Sequence, residues 1–458
     1  MRQTQDTILE QFAAFFCQMK FEDLPQPVVQ KTKMLTLDLL GVTIAGLKME
    51  FPRITKDYLT SLKGIEEATL FGHEGKVPAI HAALANGISA HALDMDDGYR
   101  YGGVHAGVAV IPAALAYAES KQLSGKELIL AIAMGYEIIN RIAKAMNPSH
   151  LNRGFHTTGT LGVLGAAAAC GVLAGLNKEQ MTSALGISAL QGAGLLEILH
   201  DGSMVKPLHP GKAAMAGILS VEMAKRGAKG PVTALEGPKG LFNAMADEVK
   251  LDGLFDNLGV EFYIMDQYIK LHAACRHIHA SIDGLLSIMT DNELQFSDIA
   301  DVSVTTYPVA TSFCGSTVLP DTAEGAKFSI AYSTAMAAFY GDVSEDRYAP
   351  SIVDHPEIQA LALNIRATTN DRWTASYPRE RGATILVNSK VGQSFSVDVP
   401  LAKGEPENPA SDADFIAKFK QNSTQYSDAI TTKVLDVTLA LDQHSVEDLT
   451  KALSKLAP

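Results

Sequence analysis

Cysteine is scarce in this chain: four in 458 residues, at Cys17, Cys170, Cys275 and Cys314. They are too scattered for a disulfide framework and form no Cys-x-x-Cys pair. This excludes a disulfide-stapled secreted scaffold and favours a reducing, cytoplasmic setting. Positive charge is also short, with 38 Lys and Arg against 51 Asp and Glu and a formal net charge of −13. That balance argues against nucleic-acid binding, which needs clustered Lys and Arg. It leaves an acidic substrate open, because a basic pocket can sit inside an acidic protein. Long membrane-type runs are missing too. The longest apolar stretch, Gly159–Leu176, is mostly Gly and Ala without basic flanks, and reads as a buried helix rather than a membrane span. The opening residues MRQTQDTILEQF put polar side chains where a signal peptide would carry its apolar region. What is present is core material: 47% hydrophobic and 19% charged residues exclude wholesale disorder, and the length fits roughly two to four domains.

The pattern predicts a mainly α protein: a large all-helical domain over 1–265, possibly completed by 405–458, and a smaller α+β lid domain over 266–404. Residues 8 to about 265 read as almost continuous helix. Lys31–Gly46 places Leu35, Leu39 and Val42 on one side, with Met34, Leu37 and Ile44 widening the apolar face. Ser124 and Glu127 form a capping box that opens a helix over Lys126–Met146. Further helices are expected over Pro78–Leu93, Gly107–Ser120, Gly159–Leu176, Lys178–Leu199 and Gly211–Arg226. Their many small residues let helix axes approach closely. Beyond residue 266 come an alternating strand at Asp301–Val309 and a hairpin of Thr384–Asn388 with Ser394–Val399. Helices are expected at Ala280–Met289, Thr322–Tyr340 and Pro356–Leu363, and in the tail at Asp412–Lys420 and Val446–Leu456.

Eleven of the thirteen histidines fall between residues 73 and 279. Five segments concentrate the chemistry. In His91-Ala-Leu-Asp94-Met-Asp96-Asp97-Gly98, Asp94 shares a helical side with Ala83, Gly87 and Ala90, so it is expected to face inward. Burial and the negative helix end would raise its pKa, which suits a general base; the plain alternative is a solvated helix terminus. An Asp-rich magnesium motif does not fit, since Gly-Tyr-Arg follows the acids. His105, His156 and Lys206 each stand just before a helix, where free N–H groups and the positive dipole end favour anions. One such segment is ordinary capping; three point to a pocket for several carboxylates. Lys270-Leu-His-Ala-Ala-Cys275-Arg276-His277-Ile-His279 lies at the domain junction. There Lys270 and Arg276 suit anion binding, with a polar hinge or a Cys275–His277–His279 metal set as alternatives.

These pieces, in this order, resemble the MmgE/PrpD family of 2-methylcitrate dehydratase, which includes cis-aconitate decarboxylase and iminodisuccinate epimerase. The matching stretches are Leu37-Asp38 through Gly46, Asn86-Gly87 through Asp97, His105 through Leu115 and Phe155-His156 through Gly162. They continue with Lys206-Pro-Leu-His209-Pro-Gly211, Cys275 through Asp283 and Ala326 through Tyr332. Departures are Gly98 where the family often has Thr, Ala106 after His105, and His272-Ala273 where Tyr-Pro is usual. The resemblance implies a helical domain and an α+β lid with an active site between them, no metal, no cofactor, and a homodimer. It implies a small di- or tricarboxylate substrate and proton movement on carbon next to a carboxylate. Asp94, His105 and His156 are the implied acid/base groups. Lys206, Lys270, Cys275, Arg276, His277 and His279 are the implied substrate-binding residues. The leading expectation is a hydro-lyase. Epimerisation and cis-aconitate-type decarboxylation are the alternatives on the same scaffold.

Overall fold

The computed structural model describes residues 6–199, 203–348 and 354–456. It divides into two compact units: 1–267 with 412–458, and 268–411. The fold is mainly helical with one small sheet, the class read from the sequence.

The first unit runs through α1 (Ile8–Gln18), α2 (Gln26–Gly46), α3 (Glu50–Ser61), α4 (Ala79–His91), α5 (Gly107–Ser120), α6 (Gly125–Met146), α7 (Thr157–Leu173), α8 (Lys178–Ala189) and α9 (Leu208–Lys225). Ser124 and Glu127 make the expected capping box at α6. The Ala/Gly composition acts as a spacing device. A Cβ on Gly87 of α4 would lie 2.9 Å from the Cα of Gly211 on α9, and one on Gly211 would lie 2.5 Å from the Leu84 carbonyl oxygen. Glycine at both positions lets the two backbones touch, which brings the end of α4 beside the start of α9. The Gly/Ala run is α7, buried along nearly its whole length. No described helix is long and apolar enough to cross a membrane.

Residues 8–265 are less continuously helical than the pattern suggests. Two short strands, β1 (Ala68–Thr69) and β2 (Lys76–Val77), pair before α4, and α8 stops at Ala189, ahead of Gly192 and Gly194. Residues 226–262 are mostly turns, because Gly227, Gly230, Pro231, Gly237, Pro238, Gly240, Gly253 and Gly259 leave room only for a short helix at Leu241–Met245. This irregular segment is tied down by the buried Arg141 of α6. Its guanidinium pairs with Glu137 and donates to the carbonyls of Leu254, Asp256 and Glu261 at 2.9–3.2 Å.

In the second unit the sheet order is β4-β3-β5-β6, with β3 Ile299–Thr306, β4 Ile365–Thr369, β5 Ala383–Ser389 and β6 Ser394–Val399. The predicted hairpin is β5–β6, with Val387 opposite Phe395. β3 ends at Thr306, short of the predicted Val309, since Pro308 has no N–H for the ladder and starts a short helix instead. β4 pairs parallel to β3 and has no counterpart in the sequence pattern; only Ile365 of its five residues is buried, so it shows no alternation. α10 (His279–Asp291) covers the sheet, where a Cβ on Gly284 would lie 2.5 Å from Ile385 Cδ1. The predicted Thr322–Tyr340 helix is split before α11 (Ile330–Tyr340), which Ser329 caps, and α12 is Pro356–Ala362.

The tail forms α13 (Asp412–Asn422), α14 (Asp428–Leu439) and α15 (Val446–Leu453). It joins the first unit, with α13 lying on α2 so closely that a Cβ on Gly41 would be 3.2 Å from the Phe419 Cα. α14 escapes the sequence reading because its Ile, Val and Thr residues favour strands locally.

Candidate active site

α4 ends at His91, and the chain then turns back on itself. Asp94 takes a left-handed conformation, φ 53°, and is only partly buried, so it does not sit on the inward helical face that the sequence suggested. The inward carboxyls are its neighbours Asp96 and Asp97, both fully buried. Past Gly98 the loop closes through the Tyr99 N–H on the Val104 carbonyl (2.8 Å), which returns His105 to the acids it has just left.

The result is one carboxylate shared by two imidazoles. Asp96 Oδ1 is 2.9 Å from His91 Nδ1, and Oδ2 is 2.9 Å from His105 Nδ1. His105 Nδ1 is also 2.7 Å from the Asp97 carbonyl oxygen. All of these partners are acceptors, so both imidazoles carry a proton on Nδ1, and the neutral form of each presents Nε2 as a lone pair. Neither Nε2 has a hydrogen-bond partner among the described residues. Burial alone would raise Asp96, but the imidazoles of His91 and His105, each with an Nδ1–H aimed at the carboxylate, outweigh it and hold the carboxyl well below its ordinary range. His91 is itself pushed down by burial, against the pull of Asp96.

The other helix starts converge on the same place. His156 caps α7, with its ring 6.0 Å from that of His91 and its Nδ1 2.9 Å from Nδ1 of His209 at the start of α9. Lys206, two residues before α9, puts its ammonium 3.0 Å from Asp94. Burial, then the positive charge of Lys206 and the neighbouring histidines, pushes His156 well below its usual pKa. Burial pushes His209 down to about 4. Burial and neighbouring positive charge both favour the neutral imidazole of His156.

Asp97 behaves oppositely to Asp96. Burial, reinforced by the charges of Asp96 and Asp38, raises it to about 8, and it lies against the Tyr136 hydroxyl. Its folded form keeps a proton that the unfolded chain releases near pH 4, so rising pH takes stability away between about 4 and 8. Asparagine has no such proton to lose. The melting temperature of Asp97→Asn relative to wild type is expected to rise from pH 5 to pH 8; a pH-independent difference would contradict a protonated Asp97.

His91, Asp94 and Asp96 bring ligand-type atoms within 4.8 Å of one another, the one such group among the described residues. Both Asp96 oxygens already accept from imidazoles and Asp94 holds an ammonium, so this donor set is occupied by hydrogen bonds. Cys275, His277 and His279 form no such group.

In the second unit the Lys270–His279 segment is held from inside. The Arg276 guanidinium pairs with Glu405 (3.0 Å) and donates to the carbonyls of Ile269, Ala402 and Lys403, while His279 engages both ring nitrogens, with Arg276 and the Ala274 carbonyl. In this structure the strong donors and acceptors of Arg276 and His279 are engaged within the second unit. Lys270 is buried. His277 meets the Tyr307 hydroxyl at 2.5 Å and is pushed down to about 3 by burial and nearby cations. Cys275 is partly exposed and in no disulfide.

Sequence reasoning therefore finds Asp94, His105, His156 and Lys206 but passes over His91, Asp96, Asp97 and His209. The available signal is the His-x4-Asp-Asp spacing across a helix end, which is invisible until the turn after α4 is known.

The helical unit gathers helix starts around paired histidines, the same chain carries an α+β unit, and this chain belongs to the MmgE/PrpD family. The MmgE/PrpD N-terminal domain matches residues 10–253 and the C-terminal domain residues 272–441. Among individual proteins the chain is similar to the cis-aconitate decarboxylase of Aspergillus terreus, at 25% identity over 95% of this chain and 93% of the relative. It is 25% identical to the Mus musculus cis-aconitate decarboxylase over 92% of this chain and 87% of the relative. With the Homo sapiens cis-aconitate decarboxylase it shares 32% identity over 52% of this chain and 50% of the relative.

Proposed function

We propose that this protein is a cofactor-independent lyase that acts on a small di- or tricarboxylate by moving a proton on carbon next to a carboxylate. The observation that carries this reading is Asp96 holding His91 and His105 with Nδ1–H inward and Nε2 open, next to the Lys206 ammonium. Proton abstraction beside a carboxylate creates an enediolate-like charge that needs a base, a cation and oriented donors. His105 Nε2 takes the proton, Lys206 and the helix N-termini hold the carboxylates, and Asp94 or His156 assists the leaving group. In water elimination the C–O bond breaks and the hydroxyl departs as water, carrying the proton that His105 took from carbon. A second reading, decarboxylation of a cis-aconitate-type substrate, is favoured by the names of the relatives. There a C–C bond breaks, CO2 leaves, and the carbon takes up a proton drawn from solvent and delivered through His105 Nε2. Lys270, Cys275 and His277 are retained as candidate carboxylate contacts of the second unit.

A panel of small hydroxylated and unsaturated di- and tricarboxylates, followed by proton NMR in heavy water with EDTA present, tests this. New alkene signals mean elimination, loss of carboxylate carbon means decarboxylation, and deuterium uptake with inversion alone means epimerisation. No turnover of any member, or activity that returns only with added metal, would sink the proposal.

Lys206→Ala is expected to reduce kcat/KM by about tenfold to a few hundredfold, since a charge-assisted contact is worth roughly 1.5–3 kcal/mol. Unchanged kcat/KM in the folded variant would remove Lys206 from the site.

A homodimer in a cytoplasmic setting fits the surface. Leu208, Leu219 and Met223 lie exposed along one side of α9, with Met215 half-buried between them, and the four cysteines form no disulfide. Sedimentation at the mass of a single 48.9 kDa chain would contradict the dimer.

A further inference from the structure

One side chain of the tail reaches the candidate site from behind. Lys418 of α13 is 4% exposed, and its ammonium lies 2.7 Å from Asp38 Oδ1 on α2. The same ammonium donates to the Met95 carbonyl at 2.8 Å. Met95 is the residue between Asp94 and Asp96. Its backbone therefore links the left-handed Asp94 to the carboxylate that holds two imidazoles. A non-glycine residue in the left-handed region persists where its surroundings over-determine it. The anchors on this turn are the Asp94 N–H on the His91 carbonyl (3.3 Å), Lys206 on Asp94, and Lys418 on Met95.

Packing alone does not explain a lysine at this position. A buried ammonium is costly unless acceptors surround it, and an apolar residue would fill the same space between α13 and α2 without that cost. What the lysine adds is a cation facing Asp38 and a donor aimed at one particular carbonyl. We propose that Lys418 is a positioning residue of the active site. It clamps the Met95 carbonyl so that Asp96 meets His91 and His105 together, which makes the C-terminal tail part of the site's construction.

The proposal rests on the lyase reading for its turnover readout, so a second readout is independent of any substrate. Replacing the pair by apolar residues, Asp38→Leu with Lys418→Met, removes both buried charges and is the change such a pair tolerates best. The melting temperature of this double variant should stay near wild type while kcat falls by about 10²-fold, as expected for a misplaced catalytic group, with KM moving by no more than about threefold. In protein labelled with 15N only at histidine, the imidazole signals of His91 and His105 should lose their uniform Nδ1–H pattern. Asp38→Asn serves if the double variant does not fold. It breaks the ion pair but leaves the Lys418–Met95 bond, so it should lose stability yet keep kcat and the histidine spectrum. A stable double variant with wild-type kcat and histidine signals, or an Asp38→Asn that loses kcat by about 10²-fold, the loss expected of the double variant, would overturn the proposal. If wild type turns over no carboxylate, the lyase reading fails, and the histidine spectra still decide the role of Lys418.

Discussion

His105→Gln is expected to lower kcat by about 10²–10⁴-fold while KM moves far less, the usual range for losing a general acid or base. His105 has both properties the reaction needs in one side chain. Its Nδ1–H is tied to Asp96 (2.9 Å) and to the Asp97 carbonyl (2.7 Å), and its Nε2 is left without a partner among the described residues. Glutamine can keep a hydrogen bond to Asp96 but cannot take up a proton, so binding should survive and turnover should not. His156→Gln should also lower kcat, through loss of the neutral His156–His209 pair. The His105/His156 double variant should cost much less than the product of the two, because groups that act as a unit are not additive. A folded His105→Gln enzyme within threefold of wild-type kcat would remove this residue from the chemistry.

Asp96→Asn should match that loss, at about 10³–10⁴-fold in kcat, although Asp96 is proposed to touch no substrate atom. The estimate follows the Ser-His-Asp triad, where loss of the orienting carboxylate has an effect of about 10⁴-fold for the same tautomeric reason. A carboxylate offers an acceptor to each imidazole, whereas a side-chain amide offers one acceptor and one donor. One of the two histidines must then turn its lone pair inward and move its proton to Nε2, which converts the open base into a donor. The amide and the carboxylate are nearly the same size, so the fold should hold. Histidine 15N shifts should show an Nε2–H form that wild type lacks. Retention of kcat within about tenfold, with unchanged histidine signals, would show that the shared carboxylate does not set the tautomers.

Much of the helical architecture is legible because it is written in short-range patterns. The Ser124–Glu127 capping box and Gly107–Ser120 sit where periodicity and capping residues put them. The errors share a cause as well. β4 carries one buried residue and α14 is rich in β-branched side chains, so local preference and final state disagree, and packing decides. Residues 226–262 contain enough Gly and Pro to rule out any helix longer than Leu241–Met245, a signal that the apolar content of the flanking helices masks.

The sequence by itself determined the fold class, the family, and the kind of chemistry available: histidines, carboxylates and lysines standing at helix ends. Both periodicity and motif order survive in a one-dimensional string. Only the tertiary structure decided which of those groups meet. Asp94, the carboxyl favoured by helical spacing, lies in a left-handed turn, while Asp96 is the one that joins two histidines. His156 and His209 are 53 residues apart, and Lys418 reaches Met95 across 323. Such contacts depend on helix backbones crossing at Gly87 and Gly211 and on a tail that folds back onto α2. The charge state of each site group follows from the same long-range packing, because burial and neighbouring charge act through space and not along the chain.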